Sequence, residues 1–455
     1  MRDEHVPFIT KILYGAGDLT TSLLTTILAF NVLYFLTDVV GIEPALVSLT
    51  IFMGKGIDWI NDPIIGHLSD RTRTRWGRRR PFLLLGVVPL ALTFILFFWT
   101  PPWASQIALA IYYGVMYMLL DTAATLVYMP YYALTPELTL NYDERTSLNT
   151  ARMVFSILGG LLAAVLPPMV VQAFPDRRLG YFIMALTFGS LGVLPLLLTF
   201  FGTRERPEHM AQEQPTIRQS LNAVRGNRPF LFGLGIFLAT WTVIDMLSAM
   251  LLYFVDHWLR RGNDFEIIVG SMFVSAAIFL PLWNWVSGRW DKRIAYVAGM
   301  VFLAAVLVIL IFLQPRTPLP VIFGITALSG IGVAAAHVVP WAILPDAIEW
   351  DELRTGQRHE GAFYSLVTLA QKIASWLVLS TLPLILKASG YVSGATEQPA
   401  SALSAIRALM GLSPAVILGL GIVFAVSYPL SRERHAEIVR ELAERRRAQA
   451  LSAEG

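Results

Sequence analysis

Cysteine is absent from the 455 residues, which excludes disulfide frameworks, thiolate metal sites and cysteine nucleophiles together. Charge is scarce as well: 15% of the residues are Asp, Glu, Lys or Arg, and the net charge is only +3. No H-E-x-x-H zinc pattern and no G-x-S-x-G elbow occurs, so the commonest hydrolase signatures are missing. A long polar stretch is nearly missing too. The most extended one runs from Gly202 to Arg228, and the small positive balance sits in loop arginines, so no nucleic-acid partner is inferred.

What the chain has instead is apolar length. Hydrophobic residues make up 55% of it, the mean hydropathy is +0.58, and apolar runs of about 20 residues match the hydrocarbon thickness of a bilayer. Strands of a membrane barrel would alternate over about ten residues, so the pattern predicts membrane-spanning α-helices. They fall near 9–37, 44–68, 82–100, 105–131, 149–172, 180–201, 229–255, 266–287, 293–313, 319–344, 361–387 and 409–430. The first carries Tyr14, Asp18 and Asn31 and no small-residue cleavage site, so a retained helix is expected rather than a signal peptide.

The even-numbered connections are the basic ones. Six arginines lie between Arg71 and Arg80. Arg145 follows, then Arg204, Arg206, Arg218, Arg225 and Arg228, then Arg289, Lys292 and Arg293, then Arg354 and Arg358. The positive-inside rule therefore predicts both termini in the cytoplasm of a multi-pass cell-membrane protein. The polar stretch divides the chain into an N-terminal six-helix bundle (1–201), a cytoplasmic linker (202–228) and a C-terminal six-helix bundle (229–430). A charged cytoplasmic tail (431–455) is expected to be solvated or to touch headgroups. GHLSDRTRTRWGRRRPFLLLG, closing the second span, is echoed about 215 residues later by WVSGRWDKRIAYVAG, closing the eighth. Such an echo is the trace of a pseudo-symmetric transporter fold.

Ionisable groups inside apolar spans are costly and mark function unless they are paired. Asp58 and Asp62 are four apart, on one helical face, with Asn61 beside them and Lys55 a turn before. Carboxylate and amide oxygens suit a hard cation, and a carboxylate pair can instead share a proton, so sodium and protons both remain open. The bland reading is that Lys55 merely neutralises Asp58. Asp18 stands beside Gly15 and Gly17, facing a cavity or capping a broken helix. Asp121 and Thr125 are followed by Tyr128, Tyr131 and Tyr132 around Pro130, as a ligand wall or as an interfacial belt. Arg152 either pairs with one of these acids or snorkels outward. Lys372 lies deep in the eleventh span, where an amine calls for an acid, and Asp58 or Asp62 could hold it. Asp245 is a further mid-span acid whose partner the sequence does not identify. Asp346, Glu349, Asp351 and Glu352 read as salt-bridge residues at a helix end. GAGD at 15–18 and PAL at 44–46 also fit an intramembrane aspartyl protease pattern, but no acid-bearing helix precedes GAGD.

With YGAGD (14–18), YFLTDVVG (34–41), DWINDPIIGHLSDRTRTRWGRRRPF (58–82), MPYYALTPELTLNYDERTSLNTAR (129–152) and ILPDAIEWDELRTGQRHEGAFYSLVTLAQK (343–372), the chain resembles a known family. This is the glycoside-pentoside-hexuronide:cation symporter family of the major facilitator superfamily, whose best-known member is the melibiose permease. The sodium-dependent lysophosphatidylcholine symporters, a related branch, share the aspartate pair and the eleventh-span lysine. The resemblance implies an all-α, polytopic membrane protein with twelve transmembrane helices in two pseudo-symmetric six-helix bundles. It implies a symporter and not an enzyme, with no cofactor beyond a coupling sodium ion or proton, working as a monomer on a small sugar or lysolipid.

By the same resemblance, Asp58, Asn61, Asp62 and Thr125 are the cation-binding positions, with Asp58 and Asp62 as the charged ligands. Asp18, Tyr128, Tyr132, Arg152, Trp341 and Lys372 belong to the substrate site, and Lys55 and Lys372 couple ion to substrate. Two departures matter. Tyr128 stands where the melibiose permease has a second sugar-binding aspartate, and Gly17 stands where it has a lysine. Both remove hydrogen bonds that galactoside hydroxyls need, so melibiose itself is not the expected substrate.

Overall fold

The computed structural model describes residues 6–139, 141–205, 224, 226–356 and 360–454. Arg206, Arg218, Arg225 and Arg358, and with them most of the linker at 202–228, lie outside the described residues. No β-strand is present among those described, and eleven helices are long and apolar enough to cross a membrane. The α-helices of the described residues, long and short together, run in the order α1 (Phe8–Tyr34), α2 (Pro44–Lys55), α3 (Asp58–Arg71), α4 (Arg80–Phe97), α5 (Gln106–Tyr132), α6 (Thr135–Leu138), α7 (Tyr142–Gln172), α8 (Arg177–Gly192) and α9 (Leu194–Gly202). They continue as α10 (Arg228–Tyr253), α11 (Phe265–Arg289), α12 (Lys292–Ile311), α13 (Leu319–Thr355), α14 (Glu360–Ala388), α15 (Ala400–Arg407), α16 (Ser413–Val426) and α17 (Arg432–Glu454).

The twelfth expected span is the pair α2 and α3. Read from sequence as one helix over 44–68, it is broken at Gly56 and Ile57, between a 12-residue and a 14-residue helix. The amide of Gly56 closes α2 on Phe52, and those of Ile60 and Asn61 open α3 on Ile57. Asp58 thus becomes the first residue of a new helix, where the unpaired amides and the helix dipole favour a negative side chain. Hydropathy averaging misses the break because the apolar residues flanking it keep their helical spacing.

Local chemistry sets the other boundaries. Ser105 caps α5 by accepting from Ala108, Asp176 caps α8 from Arg178, and Asp291 caps α12 from Arg293. Asn227 takes the Phe230 amide at 2.9 Å while its own amide reaches the Ala347 carbonyl at 3.0 Å. It thereby caps α10 and ties it to α13. Spans one and seven each end in a single π-helical turn, Phe35–Val39 and Phe254–Trp258, and a third such turn, Ala408–Leu412, joins α15 to α16. One-turn π segments of this kind concentrate at functional positions.

The chain forms two compact units. The first contains Met1–Gln212, Ser248–Phe273 and Trp376–Ile406, and the second contains Glu213–Leu247, Val274–Ser375 and Arg407–Gly455. In the first, α1 packs along α7 through glycines. A Cβ at Gly15 would lie 2.9 Å from the Ala151 backbone, and one at Gly159 would lie 2.7 Å from the Leu19 carbonyl. The second holds a core of Phe230, Phe237, Leu344, Ile348, Phe363 and Val367. The C-terminal tail, expected to be solvated or to touch headgroups, packs here on α13. Ile438 and Leu442 of α17 are buried, Arg445 donates to the Leu353 carbonyl at 2.7 Å, and His435 meets Glu349 of α13 at 2.6 Å. The i,i+4 apolar pair gives the helix one stripe to bury.

Candidate functional site

The broken second span runs alongside α5 in the same direction. The Thr50 hydroxyl donates to the Ala110 carbonyl at 3.2 Å, a Cβ at Gly54 would meet the Tyr117 ring at 2.6 Å, and Asn61 Nδ2 donates to Thr122 Oγ1 at 2.8 Å. This register places the first turns of α3, with Asp58, buried Asn61 and Asp62, beside the stretch of α5 that carries Asp121, Thr122 and buried Thr125. Because the Asn61 amide nitrogen is committed to Thr122, its carbonyl oxygen is the end left to ligate. Pro63 adds to this, since it lacks the N–H that would bond the Trp59 carbonyl in a continuous helix. Carboxylate, amide, hydroxyl and backbone oxygens are the donor set of a hard monovalent or divalent cation. Among the described residues no three His, Asp or Glu side chains converge as a transition-metal centre would require. Lys55 is the last residue of α2, directly before the break.

The second constellation of this unit is built on Asp18. α1 is continuous there, so Asp18 is no helix cap. Its Oδ2 accepts the Arg152 Nε–H at 3.0 Å, and its Oδ1 accepts the Thr21 hydroxyl at 3.2 Å. Of the two readings of Arg152, pairing inward is the one found. The guanidinium also lies over the rings of Tyr132 and Tyr131, with its carbon 4.6 and 5.4 Å from the centroids. Tyr131 is fully buried, donating to the Tyr14 carbonyl at 2.8 Å, so it is core and not interfacial belt. Tyr132 is exposed, and half-buried Tyr128 precedes it by one turn on the same face of α5. The Gly17 position is explained by packing. A Cβ there would sit 2.5 Å from the Tyr131 ring and 2.9 Å from Thr199 Oγ1, so no lysine fits. The GAGD glycines are close-packing positions, which leaves the protease pattern without structural support.

Residues 13–432 match the sequence profile of the MFS/sugar transport protein family. The chain belongs to this family. The uncharacterized symporter sll1374 of Synechocystis is 32% identical, over 96% of this chain and 97% of that one. The sodium-dependent lysophosphatidylcholine symporter 1-A of Danio rerio is 27% identical over 93% and 86%, and the putative glycoside/cation symporter YagG of Escherichia coli is 28% identical over 96% and 95%. Among solved structures, the inward-open xylose transporter XylE of E. coli covers 95% of this chain at a TM-score of 0.69 with 14% identity, and a D-xylose-proton symporter covers 93% at 0.64 with 16%. At those identities the likeness is one of fold. This MFS chain is thus an all-helical, multi-pass membrane protein with the major facilitator architecture.

The remaining expected site residues of the MFS chain lie in the second unit. Trp341 of α13 packs edge-on against Phe237 of α10, centroids 4.8 Å apart, and stacks at 6.5 Å on Tyr364 of α14. Lys372 is half-buried on α14, one turn before Trp376. Trp376, counted with the first unit, donates its indole N–H to the Phe52 carbonyl of α2 at 2.9 Å and meets the Phe52 ring in a tilted contact, centroids 4.6 Å apart. The four acids after Pro345 behave as expected of salt-bridge residues where their partners are defined: Lys292 meets Asp346 at 2.6 Å, and Arg354 meets Asp351 at 3.4 Å.

Two clusters of the first unit went unread in the sequence. At the arginine-rich end, buried Glu137 holds Arg78 and Arg79, and the Glu205 carboxylate accepts the backbone amides of Arg78, Arg79 and Arg80 at 2.5, 2.8 and 2.8 Å. Burial pushes the Glu205 carboxyl above its ordinary range against the pull of those amides. At the opposite end, Asp38 accepts the Tyr391 hydroxyl at 2.6 Å and faces His257 Nε2 at 3.0 Å, while Asp256 accepts from Tyr34 and Arg177. Burial and the Asp38 charge drive the Tyr391 phenol far above its usual pKa, which keeps it a donor. One signal could have revealed this cluster. Tyr34-Phe35 before Asp38 and Tyr253-Phe254 before Asp256 repeat after 219 residues (253 minus 34), each on a π-helical turn.

Proposed function

We propose that this protein is a cation-coupled secondary active symporter of a sugar or glycoside, driven by a sodium or proton gradient and working by alternating access in the cell membrane, with both termini cytoplasmic. The observation that carries the reading is the restart of the second span at Asp58. Two carboxylates and Asn61 occupy the opening turns of a helix inside the membrane and are tied to α5 by the Asn61–Thr122 hydrogen bond. Acids inside a membrane-spanning segment are costly, and in this reading a bound cation offsets part of that cost. In this reading Asp58, Asn61, Asp62 and Thr125 hold the ion. Asp18, Tyr128, Tyr132, Arg152, Trp341 and Lys372 contact substrate, while Lys55 and Lys372 couple the two, with no other cofactor and in a monomer. The basic connections support the orientation by the positive-inside rule.

The test is uptake of labelled methyl glycosides into proteoliposomes under imposed sodium and pH gradients. Accumulation that follows one gradient and is lost in Asp58→Asn and Asp62→Asn supports the reading; accumulation indifferent to both gradients ends it. A second reading, sodium-dependent symport of a lysophospholipid, draws support from Arg152, whose guanidinium suits a phosphate, and from the relatives that carry that name. Sodium-driven uptake of lysophosphatidylcholine, with no glycoside uptake, would select it.

A further inference from the structure

The loop that joins α3 to α4 in the first unit is a built turn. Thr74 and Gly77 exchange both backbone hydrogen bonds, at 3.2 and 3.1 Å, and the Thr74 hydroxyl donates to the Gly77 carbonyl at 2.8 Å. Arg75 and Trp76 form its tip. Gly77 turns at φ +110°, and a Cβ there would lie 2.5 Å from the Glu205 carboxyl carbon. The carboxylate that accepts the amides of Arg78, Arg79 and Arg80 therefore needs glycine at this place, and the turn is fixed against the chain that follows α9.

What the turn presents is an aromatic corner ringed by arginines. Trp76 is 39% exposed and lies edge-on to Phe200 of α9, centroids 6.0 Å apart. The guanidinium carbon of Arg75 stands 4.8 Å from the Trp76 centroid, and that of Arg80 stands 4.8 Å from the Phe200 centroid. Arg80 is held there by the Phe200 carbonyl at 2.6 Å and the Trp76 carbonyl at 3.2 Å. Phe201, next along α9, is 73% exposed. Arg73, Arg75 and Arg204 are exposed as well, and none of the three forms an ion pair among the described residues. The two acids defined at this end are engaged, Glu137 by Arg78 and Arg79 and Glu205 by backbone amides, so positive charge is in surplus. One apolar span begins at Arg80 and another ends at Gly202, which puts the corner at the boundary between hydrocarbon and water.

We propose that this corner binds the headgroup of an anionic phospholipid from the leaflet on its own side of the membrane. Arg73, Arg75 and Arg204 meet the phosphodiester, and Trp76 and Phe201 lie against the glycerol esters and the first methylenes. A guanidinium matches a phosphodiester in charge and in paired hydrogen bonds. An indole at the edge of the hydrocarbon settles at the level of the esters, with its ring in the apolar layer and its N–H in the wet one. A soluble polyanion would meet the arginines and leave the aromatic corner bare, whereas a phospholipid covers both. Phosphatidylcholine carries its own ammonium and leaves the surplus charge unmatched; a lipid of net negative charge neutralises it. The inference stands apart from the symport reading.

The experiment uses the full chain purified in detergent. Native mass spectrometry follows retention of palmitoyl-oleoyl phosphatidylglycerol and palmitoyl-oleoyl phosphatidylcholine by the native protein, by Arg73→Gln, by Arg75→Gln with Arg204→Gln, by the matching pair of lysine variants and by Trp76→Leu. Arg316→Gln, at an exposed arginine in the connection before α13, is the control for charge at large. Thermal unfolding without lipid identifies the variants that remain folded, and Arg73→Gln alone carries the test should the double variant fail to fold. The proposal expects the native chain to retain phosphatidylglycerol severalfold better than phosphatidylcholine. Each arginine replaced by glutamine should weaken phosphatidylglycerol by about fivefold, with the lysine pair keeping most of it. Trp76→Leu should weaken it too while leaving its salt dependence in place, because the arginines remain. Equal retention of the two lipids by the native protein overturns the proposal. So does unchanged phosphatidylglycerol retention in the folded glutamine variants, or an equal loss in Arg316→Gln. Displacement of the lipid by an equal concentration of glycerol phosphate would show that the arginines hold a free anion, and would overturn the lipid assignment.

Discussion

Tyr34 donates its hydroxyl hydrogen to the Asp256 carboxylate across 222 positions of sequence. The relation is reciprocated by the second half of the chain, where the Tyr253 hydroxyl lies 2.5 Å from that of Thr37, next to Asp38. The two tyrosine rings meet edge to face at 5.4 Å. Each π-helical turn thus presents a tyrosine to the other's polar group, and Arg177, His257 and Tyr391 supply the outer partners. Ser248–Phe273 and Trp376–Ile406, which carry Asp256, His257 and Tyr391, belong to the same unit as Tyr34 and Asp38.

From that arrangement follows a test of the network as a fastening. Because the chain has no cysteine, a single Val255→Cys, at a position that is 1% exposed, reports opening without background. Asp38→Asn combined with Tyr391→Phe removes the Asp38 charge and the donor facing it. Labelling of the introduced thiol by a membrane-impermeant maleimide should then accelerate severalfold. A rate equal to that of the Val255→Cys parent would mean the network does not hold this end together.

The Asp18–Arg152 pair should behave as a buried ion pair does. Removing one partner strands the other charge, which costs about 3 kcal/mol or more, whereas removing both costs less. Arg152→Gln should lower the unfolding midpoint more than Asp18→Asn with Arg152→Gln together. Substrate uptake should fall in both. Arg152→Lys keeps the charge but loses the planar stack over Tyr132, so it should recover stability better than uptake. Additive losses of stability in the double variant would contradict the pairing.

For the broken span, the discriminating position is Thr122, which is no expected ligand. Thr122→Val removes the acceptor of the Asn61 amide without touching a carboxylate. Freed from it, Asn61 can rotate, and the ion's apparent affinity should weaken by about tenfold while maximal uptake is retained. Asp62→Asn should instead abolish gradient-driven uptake. Sodium and pH dependence identical to the native protein in Thr122→Val would detach α5 from the ion site.

The span pattern was legible because bilayer thickness imposes a length on apolar runs, and most boundaries drawn from hydropathy fall near those of the helices. The exceptions are α7, which begins at Tyr142 and not near 149, α13, which runs on to Thr355 and not to 344, and the last span, which begins at Ala400 and not near 409. Buried charge was legible for the same reason: Asp18, Arg152, Asp58 and Asp62 stand out against hydrocarbon. Partner choice was not. Arg152 could equally snorkel, and only the approach of α7 to α1 at Gly15 and Gly159 brings it to Asp18. The break at Gly56 was hidden because a two-residue turn leaves the hydrophobic spacing nearly unchanged. Asp38, Asp256, Glu137 and Glu205 were overlooked since they lie at span ends, where acids are cheap and carry no warning. Their meaning comes from partners far away in sequence, and the tail misled for a related reason: its stripe of Ile438 and Leu442 is too sparse to separate a docked helix from a solvated one.

The docked tail gives a pH dependence whose sign can be worked out. His435 of α17 hydrogen-bonds Glu349 at 2.6 Å and lies 3.3 Å from Asp346, which also pairs with Lys292. The hydrogen bond to Glu349 is the main cause that raises the His435 pKa above its usual 6.5, and the charges of Asp346 and Glu349 add to it, against burial and Lys292. A group whose folded pKa is raised stabilises the docked state fully below its unfolded pKa and loses that contribution as pH climbs through the folded value. Docking of α17 should therefore be tighter below pH 6.5 and loosen above it. Hydrogen exchange of the amides between Ile438 and Leu442, followed as opening free energy across that range, checks this. His435→Gln should flatten the profile, and a native profile that is already flat, or that rises with pH, would show that the imidazole does not fasten the tail.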